Sequence, residues 1–281
     1  MPATTHWIHD IDPMLLRIYG EVGIRYYGLA YVCAFAIGFG LLTLMRKRGR
    51  INISAEQQSA LFSYLVLGVF LGGRIGYTLL YDFREWLQNP MLVFQIWQGG
   101  MSSHGGFAGV AIALALFCRK HKANLLQLGD AASVMTPPGL LLGRMANFIN
   151  GELWGTVSTA SWAVIFPLSA PHGTPISQIA PRHPYQLYAA LLEGLVPMVY
   201  TCWRMFGPNR ALRKGQIAAE FLILYAAMRI IGEQFREPDA ALILGLSRGT
   251  FFSICLLAAG IALLVYKKPP NASGNTLTLQ K

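Results

Sequence analysis

Ala131–Gly155 reads AASVMTPPGLLLGRMANFINGELWG, an apolar run that gives out into a polar set. Arg144, Asn147, Asn150 and Glu152 stand at its end, framed by Gly143, Gly151 and Gly155. A guanidinium at the end of a membrane helix is costly unless an anion or a hydrogen-bond acceptor meets it, so it marks a site by default. Two carboxamides and a carboxylate close behind concentrate donors and acceptors in the same place. One polar side chain here would read as a helix end satisfying itself. Four of them read as the edge of a polar site at a membrane surface.

Composition agrees with a membrane setting. The 281 residues are 54% hydrophobic and 13% charged, with a mean hydropathy of +0.42. Soluble domains carry about 25% charged residues. The apolar residues fall in blocks of roughly 18–22, the length that crosses a bilayer core of about 30 Å. The first twenty residues do not read as a cleaved leader, because Asp10 and Asp12 come early and no apolar core precedes them. Cys33, Cys118, Cys202 and Cys255 lie in or beside apolar blocks without metal-ligand spacing. They read as small core residues, with neither a disulfide frame nor a zinc site.

The expected fold is an all-α integral membrane protein, a polytopic bundle of about seven transmembrane helices. The spans centre on Tyr27–Met45, Leu61–Tyr81, Gly106–Cys118, Ala131–Ile149, Tyr185–Trp203, Gln216–Phe235 and Phe251–Tyr266. The third is short, and Pro137-Pro138-Gly139 is expected to break the fourth. Basic clusters at Arg46–Arg50, Arg119–Lys122, Arg210–Lys214 and Lys267–Lys268 follow the first, third, fifth and seventh spans. The positive-inside rule then places the N-terminus outside and the C-terminus in the cytoplasm. Residues 1–268 are expected to form a single transmembrane domain with an outer-side loop over 150–183, and 269–281 a disordered cytoplasmic tail. The net charge of +10 is mainly this topology signal, and no nucleic-acid partner is expected.

All seven lysines fall on the predicted cytoplasmic side, so the remaining cations are arginines. An arginine's planar fork suits bidentate contact with a phosphate. Four segments are expected at the outer leaflet: Tyr26-Tyr27-Gly28, Gly99–Gly106 (GGMSSHGG) with His104, Arg144–Glu152, and Arg229, Glu233 and Arg236 on one helix face. His104 can accept a proton near neutral pH, though a lone interfacial histidine is more often structural. The Arg229–Glu233–Arg236 string reads equally as a structural ion-pair series. Tyr27 also fits an interfacial anchor. Arg74, embedded in the second span, calls for a partner, either a carboxylate such as Glu193 or a lipid phosphate. Glycines at spacing four (Gly68, Gly72, Gly76; Gly105, Gly109; Gly139, Gly143) read as close helix packing.

At these residues the chain resembles the prolipoprotein diacylglyceryl transferase family. The resemblance spans YYGLAY (Tyr26–Tyr31), FLGGRIGY (Phe70–Tyr77), GGMSSHGG, GRMANFINGELWG, RHPYQLY (Arg182–Tyr188) and RIIGEQFREPD (Arg229–Asp239). It implies transfer of the diacylglyceryl group of phosphatidylglycerol to the thiol of a lipobox cysteine in a prolipoprotein signal peptide, forming a thioether and releasing glycerol phosphate. It implies a multi-pass protein of the bacterial inner membrane with the active site facing the periplasm, and no metal or organic cofactor. His104, Arg144 and Arg229 are then the expected catalytic residues. Tyr27, Arg74, Asn147, Glu152, Gly155, Glu233 and Arg236 are the expected substrate-binding residues. Departures from the pattern are Ala146 where glycine is common, Arg25 where some members have histidine, and Ala189 where some have glutamate.

Two other readings stand beside it. A transporter or channel for an anionic lipid or solute would also use intramembrane arginines and broken helices, but no internal repeat is apparent. A headgroup transferase working on a metal-bound diphosphate needs an acidic cluster, and Asp130, Glu193 and Glu220 are scattered.

Overall fold

The computed structural model describes residues 6–20, 22–80, 82–95, 100–208, 212–237 and 242–266. Expectations for Gly99, Arg210, Asp239 and the tail from Lys267 fall outside these residues.

The chain is mostly helical, as its apolar blocks predict. Two long helices open it, α1 (Tyr26–Lys47) and α2 (Ala55–Leu80), followed by a short α3 (Phe83–Gln88). Next come α4 (Ser103–His121) and α5 (Leu125–Ile149). Then α6 (Tyr185–Ala189), a π-helical stretch (Ala190–Leu195) and α7 (Val196–Phe206) run on without a break over residues 185–206. Finally come α8 (Gln216–Glu233) and α9 (Arg248–Val265). Among the described residues α1, α2 and α9 are long and apolar enough to cross a membrane by composition alone. Their outward side chains fit hydrocarbon: Val32, Leu67, Leu71, Ile254 and Ile261 are all exposed. Polar residues dilute α5 (Asp130, Arg144) and α8 (Glu220, Arg229, Glu233).

Two boundaries differ from the sequence reading. α5 is not broken at Pro137-Pro138; it winds through both. Each proline removes one amide donor, but a chain that left the helix inside the bundle would strand several more donors and acceptors, so the turns on either side persist. The Ser133 and Thr136 hydroxyls bond back to the Gly129 and Ala132 carbonyls (3.0 and 2.8 Å) in the same turns. α4 is longer than Gly106–Cys118, because the Ser102 hydroxyl accepts the Gly105 N–H at 3.2 Å and starts the helix inside the glycine motif.

A purely helical description also misses four short strands among the described residues. β1 (Trp7–Ile8) pairs in parallel with β4 (Val164–Ile165), and β2 (Met14–Tyr19) pairs antiparallel with β3 (Val22–Arg25). The second pair is a hairpin leading straight into α1, with Leu16, Ile18 and Tyr19 exposed. At its base the Met14 N–H and the Arg17 guanidinium each reach the Asp12 carboxylate at 2.9 Å and hold its pKa below the ordinary value.

Packing follows the glycines. A Cβ on Gly68 would stand 2.7 Å from the Gly109 carbonyl oxygen, and one on Gly76 2.5 Å from the Gly105 Cα. Helices α2 and α4 therefore touch backbone to backbone, the small-residue packing that membrane helices use. Gly139 and Gly143 differ: the nearest atom to a Cβ on Gly139 is 3.7 Å away, and Gly143 has open space. Toward the basic-cluster ends the helices close on a core of Leu42, Met45, Leu61, Phe117, Leu128, Val134 and Ile217. Cys118 belongs to this core and Cys202 packs against it, whereas Cys33 is half-buried and Cys255 exposed.

Candidate active site

The site begins with a carboxylate at the far end of the bundle. Asp130, near the start of α5, accepts the Gly215 N–H at 2.7 Å and the Ala218 N–H at 2.9 Å. The first N–H groups of a helix have no partner of their own, so this side chain caps α8 from outside it. Capping also fixes register. Arg144 lies 14 residues beyond Asp130, and Arg229 lies 14 beyond Gly215. At 1.5 Å per residue both are about 21 Å up their helices, and so level with each other.

Between the two arginines stands Glu193. Its Oε2 accepts from Arg144 Nη2 at 3.0 Å, and its Oε1 accepts from Arg229 Nη1 at 2.7 Å and from the Tyr185 hydroxyl at 3.0 Å. The Glu193 side chain has 0% exposure. Its reach comes from the π-helical stretch, where a Cβ on Gly194 would sit 2.6 Å from Leu141 Cα. That contact with α5 sets Glu193 against Arg144, one turn beyond Leu141. Arg229 Nη1 also donates to the Tyr185 hydroxyl at 2.7 Å, and its Nη2 is 3.0 Å from Glu233 Oε2. Arg236 continues the string, 3.8 Å from Glu233 Oε1 and over the Tyr185 ring at 5.8 Å. Each charge in this string has an opposite charge in contact, as burial requires.

Beyond Arg144 the polar segment folds back on itself. Glu152 Oε1 accepts from Asn147 Nδ2 at 2.9 Å and Asn150 Nδ2 at 3.2 Å, and its carbonyl takes the Gln186 amide at 2.6 Å. Gly151, at φ +66°, makes the turn in the left-handed region. His9 reaches over from the residue after β1, and its Nε2 donates to the Phe148 carbonyl at 2.7 Å. The loop over 150–183 is thus built into the fold. Gly155 N–H bonds to the His183 carbonyl (2.9 Å), Thr156 N–H to that of Phe235 (3.0 Å), and Val164 and Arg182 bond each other (2.9 and 2.8 Å).

A cavity of about 530 Å³ opens between α1, α2, α4 and α5. Most of its wall is apolar, with Phe35, Phe62, Leu65, Val69 and Met135. At one end it meets Tyr27, Arg144, Asn147 and Arg236. Gly139 and Gly143 line it, so their missing side chains make room.

The structure therefore brings Arg144, Arg229, Glu233 and Arg236 into one ion-paired string, with Tyr27 and Asn147 at the adjoining cavity and Glu152 beneath Asn147. Gly155 is close by as a packing position: its backbone bridges to Arg236, and a Cβ would meet His183 Cβ at 2.7 Å. His104 occupies the first turn of α4, and both the capping Ser102 before that helix and Gly106 within it line the cavity. The His104 side chain lies outside the described residues. Arg74 is apart from the string and does not pair with Glu193. Its guanidinium donates to the carbonyls of Leu92, Val93 (3.2 Å), Gln95 (3.0 Å) and Gly100 (3.1 Å), fixing the segment before α4. Glu193 was legible as an intramembrane carboxylate in need of a cation, but not which one. Tyr185 and Gln186 lie in the RHPYQLY segment of the resemblance but had no role assigned to them, and His9 carried no signal, since each acts through tertiary contact.

Comparison with known proteins agrees with this geometry. The model of the family described as prolipoprotein diacylglyceryl transferase matches residues 13–266. The phosphatidylglycerol--prolipoprotein diacylglyceryl transferase of Idiomarina loihiensis is 42% identical over 278 residues, covering 98% of this chain and all of that one. The proteins of the same name from Pseudoalteromonas atlantica and Legionella pneumophila strain Philadelphia 1 are each 42% identical, over 95% and 90% of this chain and 93% and 96% of theirs. With its family model matched over residues 13–266 and relatives matched along nearly its whole length, this chain belongs to the prolipoprotein diacylglyceryl transferase family.

Proposed function

We propose that this protein transfers the diacylglyceryl group of phosphatidylglycerol to a prolipoprotein, an early step in bacterial lipoprotein maturation. The observation that carries the reading is the apolar cavity with arginines at one end. Acyl chains fit its wall, and a phosphodiester fits Arg144 and Arg236 at its polar end.

In the finer reading the acceptor is the thiol of a lipobox cysteine in the signal peptide. A new C–S bond forms at the glyceryl carbon, while the C–O bond to phosphate breaks and its electron pair leaves with glycerol phosphate. The thiol proton must go to a base, and His104 at the start of α4 is the candidate. A free thiol, with a pKa of about 8.5, is only a few per cent ionised at neutrality, so a base or a cationic field matters. Arg144, positioned by Glu193 and Arg229, stabilises the charge that develops on the departing phosphate. Tyr27, Asn147 and Glu152 shape the headgroup pocket, and Gly155 and Glu233 hold Arg236 beside it. Arg74 serves the same pocket through the segment it fixes. Seven spans, a periplasmic N-terminus, a cytoplasmic C-terminus and a site opening to the periplasmic leaflet of the inner membrane complete this reading.

The test is mass spectrometry of a lipobox peptide incubated with the purified protein and phosphatidylglycerol. A gain of one diacylglyceryl unit on cysteine is expected. An unmodified peptide, with the protein folded and the lipid bound, would overturn the reading.

A further inference from the structure

We propose that Glu193 is a resident counter-ion that sets how tightly the arginines hold a phosphate, and that it disfavours the product more than the substrate. The inference rests on the function proposed above and deepens it.

A carboxylate and a phosphate offer guanidinium the same chemistry, oxygen acceptors bearing negative charge. Glu193 therefore fills permanently a position that an anionic ligand would otherwise take. It is fully enclosed, and its two oxygens already serve Arg144, Arg229 and Tyr185. It is also held in place, because Gly194 presses the π-helical stretch against Leu141. The two arginines are not equivalent. Arg144 lines the cavity and spends one Nη on Glu193, leaving its other donors for a ligand. Arg229 turns both Nη atoms toward Glu193, Tyr185 and Glu233, and it does not line the cavity. Arg229 thus acts on the ligand through Glu193 and Arg144.

A fixed negative charge beside the ligand repels it in proportion to the ligand's own charge. Phosphatidylglycerol presents a phosphodiester with one negative charge. Glycerol phosphate leaves as a monoester whose charge approaches two at neutral pH. The penalty that Glu193 imposes is therefore about twice as large, on a logarithmic scale, for product as for substrate. A bare arginine pair would do the reverse and retain the more highly charged product.

The experiment uses the full-length protein in detergent micelles. It compares wild type with Glu193→Gln for the KM of phosphatidylglycerol, kcat, and inhibition by glycerol phosphate. With Gln, KM should fall about 10-fold and the inhibition constant about 100-fold, the square of the first, while kcat drops as release becomes limiting. An inhibition constant that stays level or rises would overturn the proposal. Tyr185→Phe removes a hydrogen bond but no charge, and should leave the ratio of the two constants within about threefold of wild type. A shift as large as that of Glu193→Gln would mean that hydrogen bonding, not charge, is responsible.

If Glu193→Gln does not fold, the wild type alone decides. Thermal-shift titration with glycerol phosphate and with its methyl ester compares a dianion with a monoanion in the same site. Glu193 cancels one of the two arginine charges, so the wild type should prefer the monoester by no more than about tenfold, and a preference near 100-fold, as for a bare arginine pair, would sink the idea. These titrations need no turnover. Failure of the proposed reaction and failure of this inference are therefore read separately.

Discussion

Asp130 and Gly215 are joined by a 2.7 Å hydrogen bond that fixes the register of α5 against α8. Everything polar at the other end depends on that alignment. Asp130→Ala leaves several N–H groups of α8 without an acceptor, and loss of such a cap costs about 1–2 kcal/mol. Transfer should fall further than stability does, because Arg144 and Arg229 no longer stand level. Asp130→Asn keeps one acceptor oxygen and should recover most of both. Thermal unfolding in detergent, run alongside the transfer assay, checks this, and equal loss in both variants would contradict the register argument.

Gly194→Ala should be far worse than a glycine-to-alanine change usually is. The added methyl falls 2.6 Å from Leu141 Cα, so the π-helical stretch must move away from α5. Overpacking of this kind costs about 1–3 kcal/mol. The specific expectation is a transfer rate reduced at least tenfold in protein that still inserts. Gly143→Ala, which meets open space, is the matched control and should leave folding intact.

Arg144→Lys and Arg204→Lys separate phosphate recognition from structural pairing. Lysine keeps the charge at position 144 but loses the fork, so transfer should fall severely while the protein stays folded. Arg204 is engaged elsewhere, donating to both Glu220 oxygens at 2.7 and 2.6 Å. Its replacement should lower stability by roughly 1–3 kcal/mol yet leave the KM for phosphatidylglycerol unchanged. A raised KM in both variants would remove Arg144 from the phosphate.

His104→Gln tests the source of thiolate. Loss of a positioned base lowers rates by roughly 10²–10⁴, and raising the pH should then restore activity as solvent supplies the thiolate. A constant deficit across pH, with lipid binding intact, would assign thiol activation to the arginines alone.

Topology is checked with fusions. Reporters placed after Lys122 or Lys214 should read as cytoplasmic, and one within Thr156–Gly173 as external. The opposite pattern would move the candidate site to the wrong side of the membrane for a secreted substrate.

Helix positions, the arginine constellation and the membrane class were legible because each depends on local pattern: apolar run length, charge at run ends, and glycine at spacing four. The partners were not. Arg74 drew attention as a buried cation, yet its acceptors are main-chain carbonyls, which no side-chain pattern announces. Pro137-Pro138 signalled a break because proline lacks an amide donor, whereas a helix packed inside the bundle has no other partners for the groups a break would free. Strands β1 and β4 are two residues each, too short for any periodicity to register. The π-helical stretch depends on Gly194 finding Leu141, a contact fixed only once α5 is in place.

The parallel pairing of Trp7–Ile8 with Val164–Ile165, reinforced by His9 on Phe148, carries a consequence for how the molecule is made. Trp7–Ile8 have no strand to join until residues near 165 have been made. Helices α1, α2, α4 and α5 are therefore complete while Trp7–Ile8 are still unpaired, and the β1–β4 pairing that sets His9 on the Phe148 carbonyl forms only after them. A chain arrested before β4 would hold α1, α2, α4 and α5 with Trp7–Ile8 still unpaired, so the last tie across the polar end is also the one that spans the most sequence.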